Sequence, residues 1–244
     1  MNRPTRTLAL ATVATGISAL ATVNAQAVVF FDGVFNNSDW SLTTITNAGG
    51  AGSFANGFQM PVGGNGGTYR IIRNSLSING AGSLVAGIHM NNFAFYNPGS
   101  GAITQINYSE DSKNFLNVGG NGQGSGCVIV QSGRTYLQRN PILVMPFSGY
   151  SNWTANPAGG LVASDFWEMD NAGNLFIGNN PDFSIAGGVM QFGFWRGNSS
   201  GTLTSGVFNS ECGIDNWRVE VIPSPSGATA LAAAGLFAMR RRRR

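Results

Sequence analysis

Two carboxyl side chains stand two residues apart in the run Phe166-Trp167-Glu168-Met169-Asp170-Asn171-Ala172-Gly173. On one strand Glu168 and Asp170 would point to the same side. Sugar-bond hydrolysis with retention needs two carboxyls about 5–5.5 Å apart, one as acid and one as nucleophile. No second glutamate follows in this run, and Gly173 occupies the third position after Asp170. Glu168 and Asp170 therefore remain the suspects of an alternative reading, a polysaccharide hydrolase or lyase. The leading expectation is no catalysis, because residues 170–174 read equally well as an ordinary Asx-type turn.

Other catalytic patterns fail sooner. Gly197-Asn198-Ser199-Ser200-Gly201 matches Gly-x-Ser-x-Gly, but a nucleophile elbow joins a strand to a helix, and this segment joins two expected strands. The sole histidine, His89, sits mid-strand between Ile88 and Met90 and reads as a solvent-facing or hydrogen-bonded residue. One histidine and two distant cysteines do not make a closed tetrahedral zinc set. The glycine-rich residues 63–67 lack the Gly-Lys-Ser/Thr ending of a phosphate loop and precede a strand, so they read as a turn.

Binding chemistry is better supplied. Calcium accepts six to eight oxygen ligands, and Asp32 near the first strand could meet Asp215 near the last. Asp215 shares strand parity with Trp217, Val219 and Val221, which would point its carboxylate inward at the core edge. A buried charge there needs a partner. Calcium and the backbone amides of a neighbouring turn both qualify. A sugar ring needs exposed aromatic platforms beside amides and carboxylates. Trp195, Trp167 and Trp153 are the candidates, with Tyr150 and Tyr96 behind them. Around Trp195, Phe192 and Phe194 take one face of the strand and leave Gln191 and Trp195 on the other.

These side chains must be carried by strands. Short apolar or alternating runs at residues 27–31, 68–76, 87–96, 102–109, 189–196 and 214–221 are separated by turn residues such as Asn97-Pro98-Gly99. In residues 68–76, Tyr69, Ile71 and Arg73 share one face, with Arg70, Ile72, Asn74 and Leu76 on the other. Residues 128–131 and 134–137 read as a hairpin over Ser132-Gly133. No helical spacing interrupts this between the two ends, so the chain is expected to be all-β: a two-sheet β-sandwich of jelly-roll type spanning 28–221. Phe192, Phe194, Ile214, Val219 and Val221 should be buried. Cys127 and Cys212 read as one disulfide in an exported protein, with two free buried thiols as the other arrangement.

The formal charge of +3 misleads, because seven of the fourteen basic residues lie at the two ends. Between them, seven basic residues face eleven acids, a net of −4. Nucleic acid is excluded as a partner on that balance. Arg3 and Arg6, an apolar stretch and Ala25-Gln26-Ala27 make residues 1–27 a signal peptide for signal peptidase. At the other end, Pro223-Ser224-Pro225 within a linker (222–226) leads into an apolar segment and an arginine cluster (227–244). The apolar part, about 13 residues, is short of the ~20 that span a bilayer.

That order of parts resembles the PEP-CTERM family of exported bacterial proteins, in a Pro-Ser-Pro variant with Ser224 where the family usually has glutamate. The resemblance covers about a tenth of the chain. It implies processing by an exosortase near Pro223, transient membrane association through a short apolar helix, and release to the cell surface or an exopolysaccharide matrix. The closing stretch Gly213-Ile214-Asp215-Asn216-Trp217 is similar to the terminal strand of many jelly-roll carbohydrate-binding and lectin-like domains.

Overall fold

The computed structural model describes residues 26–118, 122–145 and 148–225. Residues 1–25 of the expected signal peptide (1–27), and the expected apolar helix with its arginines, lie outside the described residues.

Among the described residues, fourteen strands form two antiparallel sheets and the only helical elements are short 3-10 turns. Sheet A runs β10 (Thr154–Leu161), β6 (Ile103–Val118), β14 (Gly206–Pro223), β4 (Tyr69–Ile78) and β3 (Phe54–Met60), with β1 (Val28–Asp32) paired to β14. Sheet B runs β12 (Leu175–Phe176), β11 (Phe166–Met169), β8 (Arg134–Gln138), β7 (Gln123–Gln131), β13 (Met190–Ser199), β5 (Leu84–Tyr96) and β2 (Trp40–Thr46). The short β9 (Ile142–Val144) adds to β7. The architecture is a β-sandwich.

Alternation builds it. Phe192, Phe194, Ile214, Val219 and Val221 are all fully buried between the sheets, in one cluster with Trp40, Ile72, Cys127, Phe166 and Trp217. The β7–β8 hairpin forms over Ser132 (φ 52°) and Gly133 (φ 76°), the two positive values a type I′ turn requires. The last strand runs two residues further than its alternation indicated. Pro223 pairs with Ile103, and the Ser224 N–H donates to Ala102 O at 2.6 Å. The Pro-Ser-Pro motif thus begins inside the sheet edge and becomes exposed at Pro225.

A bulge in β14 between Asp215 and Arg218, with Asn216 at φ 48°, reverses the expected parity. Ile214 and Trp217 both face the core, so Asp215 lies on the outer side of sheet A instead of the inner.

One band of the interior is polar. Arg196 on β13 donates to Glu110 on β6 at 2.9 Å, with both side chains fully buried. Glu110 also accepts from Ser112 (2.5 Å), Ser125 (2.8 Å) and Tyr108. This network ties the two sheets together, which a buried charge pair needs to be tolerated. His89 is fully buried beside it, stacked on Phe194 at 4.6 Å, and neither ring nitrogen has a partner. It is therefore neither solvent-facing nor hydrogen-bonded. Burial and the nearby Arg70 and Arg196 charges hold its pKa well below the usual value, so the ring is neutral.

Candidate functional site

The outer face of sheet B carries a second apolar cluster: Ile45, Ala86, Ile88, Met90, Val128, Leu137 and Met169, with Trp195 packed against it. Trp195 arrives there by the alternation of β13, which sends Phe192 and Phe194 inward. Directly across from it on β7 stands Gly126, and Gly197 faces Gly124 two residues further along. A methyl group built on Gly124 would lie 3.1 Å from Trp195 Cη2, on Gly126 3.0 Å from Nε1, and on Gly197 3.1 Å from Cζ3. The indole therefore rests on a bed of three glycines where no side chain could stand beneath it. Its Nε1 is buried without a partner on the Gly126 side.

A groove of about 190 Å³ opens beside this ring, lined by Trp195, Trp167, Leu137, Met169, Leu175 and Arg139 among others. Trp167 is on β11, and β7 and β8 lie between it and β13. Three interstrand steps of about 4.8 Å separate the two tryptophan backbones by roughly 14 Å across the sheet, and Trp167 stands in register with Gly193, two residues along β13 from Trp195. Leu137, paired with Trp167, forms the floor between them. The loop after β11 closes one end. A Cβ on Gly173 (φ 75°) would lie 3.1 Å from the Asn47 nitrogen and 3.3 Å from Leu84 Cδ2, so the loop reaches over the sheet to the far strands. The one charged residue of the lining, Arg139, sits 3.7 Å from Asp165.

The suspected catalytic pair is not in this groove. Glu168 follows Trp167 and so points to the other face of β11, where its carboxylate accepts from Arg134 (2.9 Å) and Asn179 (3.1 Å). Asp170 caps its own turn, accepting from the backbone of Ala172 and Asn174 and from the Asn174 amide. The Asn174 bonds hold its carboxyl below the ordinary pKa, opposite to what a general acid needs.

The remaining candidates are dispersed. Gln191 shares the outer face but donates to Asn91 O at 2.9 Å and is tied to the neighbouring strand. Trp153 packs on the outer face of sheet A against Tyr69 and Phe115, and its Nε1 donates to Gly63 O at 2.9 Å. Tyr96 and Tyr150 are buried, with hydroxyls donating to Gly101 O and Asn156 Oδ1. Gly197–Gly201 passes from β13 toward β14 without a helix.

Of the two candidate calcium ligands, Asp32 accepts from the N–H groups of Val34 (2.7 Å) and Phe35 (2.8 Å) and from Trp40 Nε1 (2.7 Å). Asp215 accepts from the N–H groups of Asn65 and Asn216, both at 2.7 Å. The turn amides are thus the partners of both carboxylates, and no set of three or more metal-ligating side chains gathers among the described residues. Burial raises the Asp215 pKa against those bonds, with the Asp111 and Asp32 charges adding to it.

The cysteine expectation is corrected. Cys127 and Cys212 are free buried thiols. Cys127 belongs to the central core on sheet B, whereas Cys212 packs with Val144 and Tyr150 and accepts from the Asn114 amide at 3.3 Å. Burial pushes both thiols up in pKa, which leaves them unreactive.

Reading the residues found the two groove tryptophans but not what makes one of them a platform. The signal was present as glycines at 124 and 126, two apart on one strand, and needed the β7–β13 register to become meaningful. The buried Glu110–Arg196 pair gave no local sign.

No protein-family model and no curated protein matches the chain. Among solved structures, the CBM22-1 and GH10 modules of a Clostridium thermocellum endo-1,4-beta-D-xylanase complexed with xylohexaose match 77% of this chain and 27% of that one. The identity is 10% and the TM-score 0.31. The chain spans about a quarter of that protein's length. At that distance the likeness bears on neither ligand nor activity.

Proposed function

We propose that this is an exported surface or extracellular-matrix protein whose β-sandwich, a jelly roll, binds neutral polysaccharide without catalysis. The observation that carries the reading is the Trp195 indole lying on the bed of Gly124, Gly126 and Gly197, with Trp167 across a groove of about 190 Å³. A flat, backed aromatic ring offers an apolar face at little entropic cost, which suits the apolar face of a pyranose. Arg139 beside Asp165 leaves the groove close to neutral, which favours uncharged glycans over acidic ones. The side-by-side first and last strands, β1 on β14, support the jelly-roll reading.

Export through a signal peptidase, sorting by an exosortase and a matrix location rest on the two chain ends. In a host with an exosortase, the protein should lose the segment after Pro225, the first fully exposed residue of the motif. Function is tested by affinity electrophoresis and calorimetry against xylan, β-glucan and mannan. Binding to at least one neutral glycan is expected, and Trp195→Ala should weaken it at least about tenfold, a difference of ~1.4 kcal/mol. Equal binding by the variant, or reducing-sugar release by the protein, would overturn the reading.

A further inference from the structure

We propose that the cleft between β1 and the far half of β5 is a second glycan site, one that takes sugars bearing a free ammonium group. The cleft measures about 420 Å³ and has Trp217 and Phe30 among its lining, with Phe31 and Phe93 also on it. Phe31 is 60% and Phe93 72% exposed, far more than packing residues would be. Two sheet edges end here. β1 pairs with β14 alone, and β2 leaves β5 at Asn91, so no strand closes the gap between the sheets.

The charge in this cleft is one-sided. Asp32 and Asp39 line it and no lysine or arginine does. Neither aspartate belongs to an ion pair among the described residues, although five other acids do. Asp32 is fixed by two backbone N–H groups and the Trp40 indole. Among the described residues Asp39 accepts only from Asn36 (3.1 Å) and Ser38 (2.9 Å), and each carboxylate oxygen has further acceptor capacity. Arg70, the cation whose field reaches Asp32, is buried and committed to Gly57 O and Asn37.

A neutral sugar gains little from two carboxylates that lack ion-pair partners. An amino sugar gains the Coulomb attraction of its ammonium and a cation–π contact with an exposed phenylalanine ring, while its ring carbons cover the other. Trp195 and its groove lie elsewhere on the molecule, so this site stands or falls independently of the neutral-glycan reading.

The test is calorimetry of the purified protein with a glucosamine pentamer and with its fully N-acetylated counterpart, which lacks the charge. The free-amine pentamer should bind more tightly, and its affinity should fall as salt rises. Asp39→Asn should weaken it about twofold to fivefold, the range of a partly exposed ion pair. Phe93→Ala, at an exposed position that leaves folding intact, should weaken it as well. Trp195→Ala should leave it unchanged. Absence of binding, equal affinity for the two pentamers, or an unaffected Asp39→Asn would each overturn the proposal, as would loss of binding in Trp195→Ala.

Discussion

Each sheet of the sandwich carries a tryptophan laid over glycine on its outer face, and the two do opposite work. On sheet A, Trp153 lies so close over Gly213 that an added Cβ would meet its Cη2 at 2.5 Å, and Tyr69 and Phe115 flank the ring. Its N–H is spent on Gly63 O, which clasps the 63–67 turn down. On sheet B, Trp195 lies over three glycines, but the loop after β11 covers only one end and leaves a groove. The same residue and the same backing glycine give a structural plug in one place and an open platform in the other. A platform therefore depends less on the aromatic than on what a distant loop leaves uncovered.

The largest expected effect removes the scaffold that both faces share. Glu110→Ala leaves Arg196 buried without its counter-charge, and loss of one partner of such a pair costs about 3–5 kcal/mol. Denaturant unfolding should show that loss, and glycan binding should fail with it. An unchanged midpoint would mean that the polar band is incidental to joining the sheets.

Next come the tryptophans themselves, which should dissociate cleanly. Trp153→Ala should cost roughly 2–3 kcal/mol of stability, below the ~3–5 of a fully buried aromatic, and leave polysaccharide affinity intact. Trp195→Ala should do the reverse. If Trp153→Ala abolished binding while the fold survived, the two faces would have exchanged roles.

A subtler pair acts through the glycines. Gly213→Ala drives a methyl group into Trp153 and should lower stability by about 1–3 kcal/mol, the usual cost of overpacking. Gly126→Ala meets the Trp195 ring at its buried Nε1 edge, at 3.0 Å. It should tilt the platform and weaken binding roughly fivefold, the equivalent of ~1 kcal/mol. Thermal unfolding and titration of the same two variants measure both halves.

The smallest effect is a pH dependence confined to the plugged face. Asp215, under the turn that Trp153 clasps, has a raised pKa because of burial. Its contribution to stability is present below the ordinary carboxylate pKa and is lost as pH rises through the raised value, since the folded state then holds the extra proton. Asp215→Asn should flatten stability against pH in that window. A slope identical to that of the parent protein would place the titration elsewhere.

Local pattern made a good part of this legible. The apolar alternation of residues 189–196 put Phe192 and Phe194 inside and Trp195 outside. Ser132-Gly133 announced its turn, because a two-residue hairpin needs positive φ at both positions. These features depend on neighbours one or two residues apart, where backbone geometry leaves few options. The Asp215 orientation was not legible, because a single bulge residue, Asn216, turns every later side chain to the opposite face. Nor was the cysteine arrangement, since their proximity depends on how two separate strands stack.

By itself the chain's order of residues determined the class: short alternating runs with turn residues between them can bury their apolar faces only as packed sheets. Within runs free of bulges it also determined which side chains share a face, as for Phe192, Phe194 and Trp195. Only the tertiary structure decided that Gly124 and Gly126 lie under Trp195, that Gly213 lies under Trp153, and that turn 63–67 closes one ring while the groove leaves the other open. Those facts are set by register and by contacts between residues tens of positions apart, and such pairings are chosen by the packing of the whole sandwich, not by the propensity of any segment.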